Sequence, residues 1–133
     1  MNDTRYRCHA GSVYSLKYHM VWCPKYRRKV LVGEIAEELR SLLHQKAQEL
    51  DGTIEALEIM PDHLHLFIQS DPTAAPQRFA NPFKGFTSRM LRQKFPQLRS
   101  RIPSMWSRIY YVGSIGHVSE ETVKQYIEMQ KSS

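Results

Sequence analysis

The stretch Pro61-Asp62-His63-Leu64-His65-Leu66-Phe67-Ile68, PDHLHLFI, sets two histidines one residue apart inside an aliphatic run. Side chains alternate between the two faces of a β-strand, so His63 and His65 project from one face and Leu64, Leu66 and Ile68 from the other. The aliphatic face is fit to enter a core. The histidine face then stands in water, lies under another element, or holds a ligand. Upstream, TIEALEIM (53–60) also reads as a strand, and Pro61-Asp62 is a tight turn, so the two strands are expected to form an antiparallel hairpin.

Working outward from the hairpin, SVYSLKYHMVW (12–22) reads as a strand with Leu16, Tyr18, Met20 and Trp22 on one face and Ser15, Lys17 and His19 on the other. Between about Gly33 and Leu50, apolar residues at Ile35, Leu39, Leu42, Leu43, Ala47 and Leu50 have the spacing of one helix face. Asp51-Gly52 closes that helix, with Gly52 expected in the left-handed position. After the DPTAAP break, Phe79, Phe83, Phe86, Met90 and Leu91 predict a second helix. Its start is placed at Asn81 as cap with Pro82 as first residue, because proline deep inside a helix removes a hydrogen bond.

SRIYYVGS (107–114) is a fourth strand. Ser119 then caps a last helix over 119–131, with Glu120 and Glu121 in its first turn and Val118 and Val123 placed as a hydrophobic staple. The order β-α-β-β-α-β predicts an α+β fold, a ferredoxin-like or RRM-like sandwich: a four-stranded antiparallel sheet, two helices on one face, and an extra C-terminal helix. The third strand is central in such a sheet. The histidines would lie on its open face, where the extra helix is the obvious cover.

The chain has 133 residues, 41% hydrophobic and 24% charged, which suits a single domain over 1–133 with its own core. No apolar run approaches the ~20 residues needed to cross a bilayer, and the first residues lack the apolar centre of a secretory signal, so a cytoplasmic location is expected. Cys8 and Cys23 have no C-x-x-C spacing, which argues against a thiolate zinc site or a disulfide scaffold; both are expected to be reduced. The net charge is +6 and unevenly spread: from Pro72 to Ser119 there is no Asp or Glu but there are eight Lys or Arg residues, and PKYRRK (24–29) adds a second basic cluster. Segregated positive charge is the footprint of a phosphate-binding surface.

Two imidazoles alone are an incomplete metal site. A hydrolase of the H-x-H-x-D kind would need Asp at position 67, and a histidine-triad nucleotidyl transferase would need His there; the residue is Phe67. A third ligand must come from elsewhere. The last helix sets Tyr126 and Gln130 four residues apart on one face, a spacing that by itself leaves packing and chemistry both open.

Taken together, YHMVWCPKYRRKVL (18–31), MPDHLHL (60–66), FKGFTSRML (83–91), WSRIYYVGS (106–114) and VSEETVKQYIEMQ (118–130) resemble the single-tyrosine HUH transposases (TnpA-type) of bacterial and archaeal insertion sequences. The likeness runs in the family's order from about Tyr14 to Lys131. PDHLHL followed sixty residues later by QYIEMQ is its most specific part. Asn81-Pro82 departs from the family pattern, which more often has an uninterrupted helix before the K-G pair. The resemblance implies the ferredoxin-like fold, a homodimer whose C-terminal helix can dock on the partner subunit so that one chain's tyrosine serves its partner's histidines, and single-stranded DNA with hairpins at the element ends as substrate. It also implies that His63, His65 and Gln130 hold a divalent metal and that Tyr126 is the nucleophile.

Transposition by such an enzyme would pass through a 5′-phosphotyrosine intermediate, with Mg²⁺ or Mn²⁺ as cofactor. Imidazole ligands suit Mn²⁺ better. In the basic clusters, Lys25, Arg27, Arg28, Lys84, Arg89 and Arg92 are the candidates for holding DNA phosphates. Two other functions remain open: a domesticated or inactive hairpin-binding module on the same fold, and a metal-dependent phosphodiesterase that uses water in place of Tyr126.

Overall fold

A computed structural model of the chain describes residues 7–9, 12–14, 16–70, 77–108 and 111–114. The helix expected over 119–131, its Ser119 cap, Tyr126 and Gln130 lie outside the described residues. A two-stranded ribbon comes first, β1 (Arg7–His9) paired antiparallel with β2 (Ser12–Tyr14). The strand expected over 12–22 is therefore divided: β2 belongs to the ribbon, and β3 (Leu16–Trp22) belongs to the main sheet. A 3-10 turn (Lys25–Arg27), α1 (Gly33–Glu49), β4 (Thr53–Met60), β5 (His63–Ser70), α2 (Gln77–Lys94), the short α3 (Gln97–Arg101) and β6 (Tyr111–Ser114) follow.

The main sheet is antiparallel with the order β4-β5-β3-β6, so the third strand of the sandwich, β5, is central as the ferredoxin-like fold predicted. Met20 and Trp22 of β3 and Leu64, Leu66 and Ile68 of β5 share one face. They form a single core with Leu39, Leu42 and Leu43 of α1 and Phe79, Phe83 and Leu91 of α2. Both helices thus cover the same side of the sheet, and the 3.6-residue and two-residue apolar periods of the chain meet there.

A β-bulge governs β4. Pairing runs Ile54↔Ile68 and then Ala56↔Phe67, leaving Glu55 as the extra residue. Without it, strict alternation would send Ile54 to one face and Leu57 and Ile59 to the other. With it, Ile54, Leu57 and Ile59 all pack on the core, and Ala56, Glu58 and Met60 turn to the histidine side.

Two local expectations are corrected. The end of α1 is closed by Asp51 and not by Gly52: Asp51 has the left-handed φ of 63°, its N–H donates to Gln48 O, and Gly52 N–H donates to Ala47 O, the paired bonds of a Schellman motif. Gly52 is needed for space, because a Cβ there would lie 2.7 Å from Phe79 and 2.8 Å from Ile68. Second, α2 begins at Gln77 and runs through Pro82. Pro82 cannot donate to the Arg78 carbonyl one turn back, a break that costs on the order of 3 kcal/mol in a helix interior. Phe79 and Ala80, both buried, hold the turn ahead of Pro82 against the core and offset that loss.

Candidate functional site

On the side of the sheet away from the helices, β5 presents His63, His65 and Phe67. They are flanked by His19 and Val21 on β3 and by Ala56, Glu58 and Met60 on β4. Register places His65 opposite Val21 on one side and Glu58 on the other, and His63 opposite Met60. This is the face left open by α1 and α2, for which the extra C-terminal helix was the expected cover. Over β3 it is shut off from solvent, with Val21 at 0% and His19 at 5% exposure, while Glu58 and Met60 on β4 are exposed. The histidine pair sits on the boundary between the dry and wet halves.

The two imidazole rings are 5.0 Å apart between centroids and inclined at 75°. Each has its Nδ1 engaged by a neighbour. His63 Nδ1 is 2.8 Å from Asp62 Oδ1, and Asp62 Oδ2 is in turn 2.9 Å from Arg27 Nε. His65 Nδ1 is 2.9 Å from His19 Nε2. The His19 ring lies between its neighbours, stacked on Phe67 at 4.3 Å and on His65 at 5.1 Å, with the edge of Tyr111 at 6.1 Å.

Burial and the neighbouring His65 push the His19 pKa down to about 4. The His65 pKa is also lowered, by burial first and then by His63, with Glu58 opposing. Desolvation disfavours the charged imidazole, so both rings favour the neutral form that binds metals.

This donor set fits a divalent cation in part. The His63 and His65 imidazoles, side by side with Nδ1 engaged on each, leave Nε2 on each as the nitrogen that can face a ligand. Among the described residues no group of three or more His, Cys, Asp and Glu is assembled for a metal, so the third donor has to be of another type or come from elsewhere. Gln130, the expected third ligand, and Tyr126, the expected nucleophile, lie outside the described residues.

The six basic residues expected to hold phosphates divide into two groups. Arg27 is paired with Asp62. Lys84 donates from Nζ to Ser107 O at 2.7 Å, and its pKa is lowered by burial. Arg92 donates to Ile102 O at 3.0 Å and to Pro103 O at 3.4 Å, tying α2 to the segment after α3. These three brace the fold. Arg28 and Arg89 are exposed, and half-buried Lys25 has its ammonium 5.3 Å from the ring of Tyr26, itself 44% exposed. Tyr26 and Arg27 both adopt left-handed φ, 60° and 53°, and the Arg27–Asp62 pair ties this loop to the turn before His63.

His19, Asp62 and Glu58 are neighbours of the pair that motif reading did not single out. Asp62 had a local signal, being adjacent to His63 in a turn. His19 and Glu58 reach His65 only through strand register.

With this geometry in hand, comparisons with known proteins converge. A family model described as transposase IS200-like matches residues 12–130. The ISDra2 transposase TnpA of Deinococcus radiodurans is 34% identical over 122 residues, spanning 90% of this chain and 87% of that protein. The transposase for insertion sequence element IS200 of Salmonella typhimurium is 30% identical over 132 residues, spanning 98% and 85%. A crystal structure from Deinococcus radiodurans R1, of a protein described as a transposase, matches with a TM-score of 0.86 at 33% identity, covering 93% of this chain and 97% of that one. A REP-associated tyrosine transposase bound to a REP hairpin matches at a TM-score of 0.53 and 14% identity, covering 96% and 69%, a likeness of fold.

Proposed function

The chain belongs to the IS200-like transposase family, and we propose that it cleaves and rejoins single-stranded DNA at the ends of an insertion sequence through a covalent bond to Tyr126. The observation that carries this reading is the imidazole pair: His63 and His65, 5.0 Å apart on the central strand, each with Nδ1 engaged and Nε2 left for a ligand.

His63 and His65, with Gln130 as third donor, would hold a divalent Mg²⁺ or Mn²⁺ ion. When bound, such an ion supplies Lewis acidity at a non-bridging phosphate oxygen. All three donors are uncharged, so none of the cation's charge is cancelled before the phosphate arrives.

Tyr126 attacks phosphorus through its phenolic oxygen. The Oη–P bond forms as the bond from phosphorus to the 3′ oxygen breaks, the phenolic proton is lost, and a 3′-hydroxyl departs. The linkage energy is conserved in the phosphotyrosine, and attack by a 3′-hydroxyl of another strand reverses the chemistry with no external energy source. Each chain has one such tyrosine, so exchanging two ends calls for two sites, which a homodimer supplies. Hairpins at the element ends are the proposed recognition feature, with Lys25, Arg28 and Arg89 best placed to meet phosphates and Arg27, Lys84 and Arg92 acting through the fold around them.

The test is incubation of the full chain with labelled single-stranded DNA from the flanks of its own gene, with Mn²⁺ or Mg²⁺, followed by a denaturing protein gel. A DNA adduct on the wild type that is absent from Tyr126→Phe is the expected result. Cutting that persists in Tyr126→Phe would instead support a phosphodiesterase with a water nucleophile. Hairpin binding without any cutting would support a binding module.

A further inference from the structure

We infer that His19 is a positioning residue for His65: it accepts a hydrogen bond from His65 Nδ1–H and so fixes His65 in the tautomer whose Nε2 lone pair points away from β3. This deepens the proposed function and rests on its assignment of His63 and His65 as the metal-holding pair.

His19 Nε2 and His65 Nδ1 are 2.9 Å apart, so one of the two nitrogens carries a hydrogen and the other a lone pair. If His19 donated, neutral His65 would carry its own hydrogen on Nε2, and that nitrogen could not ligate. A ligating His65 requires the opposite polarity, with the hydrogen on Nδ1 and His19 accepting. His19 then carries its own hydrogen on Nδ1.

The neighbouring histidine is arranged in the same sense. His63 Nδ1 faces a carboxylate oxygen of Asp62 at 2.8 Å, and a carboxylate accepts only, so His63 also keeps its hydrogen on Nδ1 and frees Nε2. Two different partners, a carboxylate and an imidazole, therefore impose one donor pattern on both rings.

His19 is also built to hold its own place. It is 5% exposed, and its ring is stacked nearly parallel on Phe67, at 4° and 4.3 Å. Cross-strand pairing sets His19 opposite Phe67, two residue pairs along from Val21↔His65, so its reach to His65 is diagonal and fixed by the β3-β5 ladder. A ring clamped in this way cannot follow His65 if His65 turns, and an imidazole acceptor adds no negative charge to the site, unlike Asp62 beside His63.

Two measurements decide the matter. In metal-free wild-type protein at neutral pH, long-range ¹⁵N–¹H correlation spectra should show the hydrogen of His65 on Nδ1; a hydrogen on Nε2 overturns the inference. Separately, Mn²⁺ affinity should be measured by calorimetry for the full chain, for His19→Phe, which keeps the stack on Phe67, and for His19→Gln, which restores an acceptor oxygen. The expected result is an about 10- to 100-fold weaker dissociation constant for His19→Phe, with partial recovery in His19→Gln. Unchanged affinity in His19→Phe overturns the inference while the metal assignment stands. A wild type that binds no Mn²⁺ but shows the Nδ1 tautomer removes the metal assignment and leaves the hydrogen-bond polarity supported. Should His19→Phe fail to fold, the wild-type spectrum and His19→Gln decide alone.

Discussion

Arg27 and Asp62 form an ion pair of 2.9 Å that joins the basic loop to the turn just before the first histidine of the pair. Because Asp62 also faces His63 Nδ1 at 2.8 Å, a substitution in the loop reaches the imidazole through one carboxylate. Asp62→Ala is expected to weaken Mn²⁺ binding about 10-fold or more, and Arg27→Ala by less, since it leaves the carboxylate in place. Calorimetric titration of both variants checks this, and equal losses would contradict the order.

Acidification should destabilise the metal-free protein. The His19 pKa is held down to about 4 in the fold, against about 6.5 in an unfolded chain, and that of His65 moves the same way. Between those values the unfolded chain binds a proton that the folded one refuses. The contribution is therefore complete above about 6.5 and is lost as pH falls toward 4. Melting temperatures taken from pH 7.5 to 4.5 should fall, with a shallower slope for His19→Phe. A flat wild-type profile would contradict the burial of these rings.

The thiol of Cys23 should be inert in the native state. It is fully buried, and burial together with the charge of Asp62 pushes its pKa up to about 12, Arg27 opposing. In a Cys8→Ser background, iodoacetamide at pH 8.5 should leave the native protein unmodified and label it fully in denaturant. Rapid native labelling would show that the segment around Cys23 opens.

At the end of α1 two adjacent residues should respond in opposite directions. Gly52→Ala drives a methyl toward Phe79 and Ile68 and is expected to cost about 1–3 kcal/mol. Asp51→Gly relieves a left-handed non-glycine residue and should stabilise by up to about 1 kcal/mol. Urea unfolding of both variants reads the two signs.

The basic residues should separate by phenotype. Arg28→Ala and Arg89→Ala are expected to lower affinity for single-stranded DNA and reduce its salt dependence without moving the melting temperature. Lys84→Ala and Arg92→Ala each lose a hydrogen bond from a charged donor to a carbonyl and should cost about 1–3 kcal/mol of stability. Binding measured across salt concentrations, beside thermal melts, distinguishes the groups.

The hairpin of β4 and β5, the apolar stripe of α1 and the order of the sandwich strands were legible because each rests on a local period. The start of α2 was not, since Pro82 signals a boundary locally while Phe79 and Ala80 are held by the core, a tertiary effect that overrides it. His19 was assigned to the correct face of its strand, but its partner lies 46 positions away and only the ladder between β3 and β5 brings them together. Charge counting located the basic clusters without showing that Arg27, Lys84 and Arg92 are committed to Asp62 and to backbone carbonyls. The roles given to Tyr126 and Gln130 within 119–131 rest on the resemblance to the family, since their spacing left packing and chemistry both open.

Glu55 acts as a phase shifter between two segments of one strand. Deleting it would erase the bulge and leave Ile54, Ala56, Leu57, Glu58 and Ile59 in strict alternation, each on the face it already has. Deleting Glu58 instead, with the bulge in place, would put Ile59 on the histidine side and Met60 among the leucines. The strand can therefore lose one residue at the bulge without turning over a face, a constraint on how the chain can diverge that acts through parity.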